Sequence, residues 1–188
     1  MTMIARTHCF RLVLLLLLAG AALALPAVAP AQGYPFSQRS TLSQGVALTE
    51  ITISYGRPVA RGRALFGQLV PWDSLWHPGA DSATRISFSH DVRLEGHEVR
   101  AGDYSVWLVP REHAPWTFIL NSQARAFHKP YPGAKFEVLR ADVMPESVSH
   151  MESMAIYFPV VRRDSAVMRI HWGTTAVPVR ITAPYQPN

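Results

Sequence analysis

The chain has 188 residues, 48% of them hydrophobic and 16% charged, with a single cysteine and a formal net charge of +5. That cysteine, Cys9, falls in a leader expected to be removed, so a disulfide framework, thiolate catalysis and cysteine-ligated metal are excluded from the mature domain. Two basic residues leave with the same leader, and the remaining positive charge is too modest to point to a nucleic-acid partner.

The leader comes first. Arg6 and Arg11 precede an apolar run from Leu12 to Leu25, and Ala29-Pro30-Ala31 gives a small-residue cleavage pattern before Gln32. This is the order of a secretory signal peptide, expected over residues 1–31. Cleavage would leave no membrane-spanning segment, and the product would be periplasmic or secreted. Residues 32–45 are polar and turn-rich and read as an N-terminal leader to one domain over 46–188.

Within that domain apolar residues recur with period two. Ile51, Ile53 and Tyr55 alternate with Glu50, Thr52 and Ser54, and Ile86 and Phe88 repeat the pattern, as half-buried strands do. Val92 and Leu94 face Val99 across Glu95-Gly96-His97, a hairpin turn. Tyr104–Val109 and Trp116–Leu120 are apolar on both faces, which predicts central strands covered on each side. Residues 136–143, 154–160 and 166–172 read as further strands. A last one carries Val177, Val179 and Ile181, with Pro178 implying a sheet edge. Ser122–Lys129 is the nearest approach to a helix. The expected fold is all-β, an antiparallel β-sandwich or a jelly-roll-like barrel.

Between Tyr55 and Thr84 the alternation stops. Connections of about thirty residues are uncommon in compact domains and are more often functional than short ones. This one gathers Arg57, Arg61 and Arg63 with Tyr55, Trp76, His77 and Asp81, and these seven residues form the candidate ligand-binding set. Guanidinium groups present planar forks to carboxylates, phosphates or sulfates, and indole faces stack on sugar rings. A small polar or anionic ligand such as a glycan is therefore expected. The structural alternative packs Trp72 and Trp76 on the sheet and pairs the arginines with Asp73, Asp81 and carbonyl groups.

Catalytic signatures are thin. His77 with Asp81 or Asp73 would suit a hydrolase, but no G-x-S-x-G elbow accompanies them. The remaining histidines form neither H-x-H nor H-E-x-x-H, so no metal site and no cofactor are expected. His90, His97, His113, His128 and His150 lie in polar contexts and read as solvated. A third reading is a structural or protein-partner domain of the cell envelope. Were His77 to pair with Asp81, its imidazolium would be favoured, and anion binding would strengthen as pH falls.

Ser54-Tyr55-Gly56-Arg57-Pro58, Arg61-Gly62-Arg63-Ala64-Leu65-Phe66-Gly67 and Leu69-Val70-Pro71-Trp72 then stand in order. Trp76, Gly79, Ala80, Asp81 and Thr84 follow, with Gly102-Asp103-Tyr104, Pro110 and Trp116-Thr117-Phe118-Ile119-Leu120-Asn121 further on. Together these resemble the bacterial family called domain of unknown function 2911, over nearly the whole mature domain. His77 stands where that family usually has arginine, and Asp81 where it usually has asparagine. The resemblance implies export and no particular activity.

Overall fold

The computed structural model describes residues 37–184, so the expected signal peptide lies outside the described residues. Ten strands follow one another: β1 (Gln38–Val46), β2 (Thr49–Arg57), β3 (Arg85–Phe88), β4 (Val92–Leu94), β5 (His97–Val99), β6 (Gly102–Val109), β7 (Trp116–Asn121), β8 (Glu137–Val143), β9 (Glu146–Val161) and β10 (Ser165–Thr182). They form two antiparallel sheets, in the orders β1-β2-β3-β6-β7-β8 and β5-β4-β10-β9. Both sheets keep free ends, so the domain is a sandwich and not a closed barrel.

The alternation explains the layers. Ile51, Ile53 and Tyr55 of β2, Ile86 and Phe88 of β3, and Trp116, Phe118 and Leu120 of β7 point into one inter-sheet core. Met154 and Ile156 of β9 and Met168, Ile170 and Trp172 of β10 meet them from the other sheet. The hairpin between β4 and β5 turns on Glu95 and Gly96, both with positive φ, as a two-residue turn requires. β7 is buried along its whole length, as its two-sided apolar pattern predicts. Its outward face, with Ile119, packs against Trp107 and Ala83 beneath Ala126 and Tyr131 of the segment that follows β7.

Three details differ from the sequence reading. Residues expected to be a leader include β1, which pairs with β2 from Gln38↔Arg57 to Val46↔Thr49. As an edge strand β1 buries little, so its polar composition hides it. The last two expected strands are one strand, β10, kept continuous by irregularities around Gly173. Pro178 therefore lies inside a central strand. It is tolerated there because pairing with β9 ends at Ala176 and pairing with β4 begins at Ile181, so the missing N–H breaks no ladder bond. Ser122–Lys129 forms no helix; among the described residues the one helical turn is a 3-10 turn at Ala134–Phe136.

Candidate functional site

The connection from β2 to β3 begins by closing an edge. Beyond Arg57 the chain leaves the first sheet and runs along β9: Met154 N–H donates to the Pro58 carbonyl at 2.9 Å, and Ala60 N–H donates to the Glu152 carbonyl at 2.8 Å. Tyr55 and Arg57 belong to this seam. The Tyr55 hydroxyl accepts the Ile156 N–H at 2.9 Å, and Arg57 Nε donates to the Met154 carbonyl at 2.9 Å. Both bonds satisfy backbone groups on the outer edge of β9 that would otherwise be open to strand addition.

The connection then turns and docks. Arg61 (φ 54°) and Gly62 (φ 66°) reverse the chain. Arg63 reaches back over the turn, with Nε on the Ala60 carbonyl at 2.9 Å and a terminal nitrogen on the Val59 carbonyl at 2.5 Å. Leu65 fills the space that a side chain on Gly173 would occupy, since a Cβ there would stand 2.7 Å from Leu65 Cδ1. Phe66 follows into an aromatic cluster, 4.8 Å from the ring centre of Trp116 and 5.6 Å from that of Trp76. Trp76 lies nearly parallel to Trp172, with ring centres 6.1 Å apart and an 18° angle between planes. It is tied to β6 by reciprocal backbone bonds with Leu108 at 2.9 and 2.7 Å. Packing is therefore the main work of Trp72 and Trp76, though Trp76 keeps part of its surface exposed.

Docking the connection in this way leaves a cleft of about 520 Å³. Arg61, Arg63, Trp76 and Asp81 line it, joined by Trp172 from β10 and by Phe127 and His128 from the segment after β7. Tyr55, Arg57 and His77 do not line it. The three arginines thus do not form one fork: Arg57 serves the β9 edge, and the Arg63 guanidinium is committed to two carbonyls. Asp81 sits at the cleft with φ 63°, a left-handed conformation that aspartate and asparagine adopt more readily than most residues. Trp172, Phe127 and His128 had no local signal in the sequence, because each comes from a segment far from the connection.

His77 departs most from expectation. It is buried, with 1% of its surface exposed, and its Nε2 lies 2.7 Å from Nδ1 of His128. No bond joins it to Asp81; its Nδ1 has no partner among the described residues. Burial first, and the neighbouring His128 second, lower its pKa from 6.5 to about 4. The expected His77–Asp81 pair is thus replaced by an imidazole pair in which His77 is buried and His128 is exposed, because the Pro78-Gly79 turn carries Asp81 away to the cleft. His128 is correspondingly not a merely solvated side chain.

The same geometry bears on hydrolysis. Asp73 lies 3.7 Å from Arg111, and Ser74 Oγ donates to the Trp72 carbonyl at 3.3 Å. Among the described residues no serine bonds His77, and no group of three metal-ligating side chains forms. Nor is any helix there long and apolar enough to cross a membrane.

The order of these residues from Tyr55 to Trp172 also decides kinship. The family described as protein of unknown function DUF2911 matches residues 37–181. The chain belongs to that family. No curated protein and no solved structure matches it significantly. In this DUF2911 domain the glycines and small residues of the motif have structural reasons. A Cβ on Gly56 would collide with the Ala80 carbonyl oxygen, and Thr84 Oγ1 donates to the Pro78 carbonyl at 2.6 Å in a fully buried position. Gly56 and Thr84 therefore build the cleft without lining it, whereas Pro58, Leu69, Val70, Gly79 and Ala80 line it.

Proposed function

We propose that this DUF2911 domain is an exported, non-catalytic binding module that takes a small polar or anionic ligand, such as an acidic sugar, in the cleft under the β2–β3 connection. One observation carries the reading: Arg61 and Asp81 stand at the rim of a 520 Å³ cleft walled by Trp76 and Trp172. Indole surface suits the apolar faces of a sugar ring, while a guanidinium and a carboxylate suit its hydroxyl and acid groups. Exposed Leu69 and Phe127 add apolar surface to the same cleft. Export is supported by the leader pattern ending at Ala31.

Tryptophan emission tests the binding reading, because two indoles line the cleft. Titration with glucuronate and with glucose should give a saturable change that is larger for the acid. Arg61→Gln should weaken the acid selectively, and Asp81→Asn should weaken the neutral sugar. Emission unchanged by both sugars, together with a melting temperature unmoved by either, would count against a sugar ligand.

A further inference from the structure

We propose that the outer face of the six-stranded sheet carries a second, separate site, in which Arg39, Arg85 and Arg125 hold a tetrahedral oxyanion of the phosphate or sulfate type. The strand register assembles it. Thr41 is paired with Ser54, and Ser54 with Arg85, across β1, β2 and β3. Arg39 lies two residues before Thr41 and so presents to the same face, away from the inward set Ile51, Ile53 and Ile86. Arg125 arrives from the segment that closes over this face, which is pinned by Ala83 N–H donating to the Ala126 carbonyl at 3.1 Å. A cleft of about 360 Å³ is lined by the three arginines together with Ser54 and Ser82.

The charge arrangement is what calls for a ligand. Among the described residues no carboxylate lines this cleft. Arg39 donates to Ser54 Oγ at 3.0 Å, while the side chains of Arg85 and Arg125 have neither a hydrogen bond nor an ion pair among the described residues. Four arginines elsewhere do meet a carboxylate: Arg93 with Glu98, Arg140 with Glu137, Arg169 with Glu146 and Arg180 with Glu95. Three guanidinium groups gathered without a counter-charge repel one another, and an anion among them would remove that repulsion. Their donors, with two serine hydroxyls, exceed what a single planar carboxylate accepts. A tetrahedral oxyanion offers oxygens in several directions at once, which suits forks converging from three segments.

This site shares no lining residue with the cleft under the β2–β3 connection, so its test is independent of the sugar reading. The experiment follows the melting temperature with inorganic phosphate, with chloride added to hold ionic strength constant. A saturable rise is expected in the wild type and in Arg61→Gln. In Arg85→Gln and Arg125→Gln the phosphate affinity should fall about tenfold or more, the loss of a charge-assisted contact. Without phosphate and at low salt, Arg125→Gln should melt no lower than the wild type, because it relieves repulsion; this separates lost binding from damaged folding. Glycerol 3-phosphate binding more tightly than phosphate would assign an ester as the natural ligand, and equal affinities would assign the free ion. A phosphate response no greater than that to chloride, or one unchanged in both arginine variants, would overturn the proposal.

Discussion

His77 and His128 meet as a hydrogen-bonded imidazole pair, 2.7 Å between Nε2 and Nδ1, with the His77 ring 5.7 Å from Trp107. One ring must donate and the other accept, so the pair holds together only while at least one facing nitrogen is bare. Stability should register this. The folded pKa of His77 is about 4, against 6.5 for the ordinary side chain. Between those values the unfolded chain takes up a proton that the folded chain refuses, so the contribution is complete above pH 6.5 and is lost as pH falls toward 4. The loss should reach about 2 kcal/mol by pH 5. Urea unfolding at pH 7 and pH 5 measures it. A His77→Leu variant should flatten the dependence across this window.

Phe118→Ala should destabilise the domain by about 3–5 kcal/mol. Phe118 has no exposed surface and stands between Leu108 of β6 and Ala141 of β8, so the cavity has little room to collapse. Equilibrium denaturation checks this. A loss below about 1 kcal/mol, within reach of ordinary surface changes, would contradict the central placement of β7.

Gly56→Ala should cost about 1–3 kcal/mol, since the new Cβ meets the Ala80 backbone, which cannot rotate away as a side chain would. Gly45→Ala is the control. Nothing stands within 4 Å of a Cβ there, so the change should stay within about 0.5 kcal/mol. Equal melting temperatures for the two variants would contradict the close approach of β2 to the connection.

Arg63 and Arg61 should separate folding from binding. Arg63→Ala loses two bonds to the Val59 and Ala60 carbonyls and should cost about 1 kcal/mol, discounted for its exposure. The Arg61 backbone N–H donates to Glu152 Oε1 at 2.7 Å. Arg61→Gln keeps that bond and should shift stability by less than about 0.5 kcal/mol. Thermal melts of both variants, paired with the sugar titration, give the comparison.

The mature protein should begin at Gln32, by the cleavage pattern Ala29-Pro30-Ala31. N-terminal mass spectrometry of protein recovered outside the cytoplasm checks this, and an intact Met1 would contradict it.

The sequence by itself determined the fold class and most strands, because period-two burial is a local property. Ile51, Ile53 and Tyr55 must share a face whatever lies opposite. It also determined the family, through an ordered run of glycines, aromatics and arginines whose spacing survives without coordinates. It marked the β2–β3 connection as unusual by length alone. Only the tertiary structure decided what that connection's side chains do. An arginine beside a tryptophan in sequence is equally suited to a ligand or to a carbonyl, and the choice depends on where β9 and β10 run. Arg57 and Arg63 found carbonyls there, while Trp172 came from β10 to wall the cleft. The His77–His128 pair and the Arg39–Arg85–Arg125 cleft were invisible for the same reason. Each joins residues from segments far apart in the chain, and charge and hydrogen-bond matching act through space.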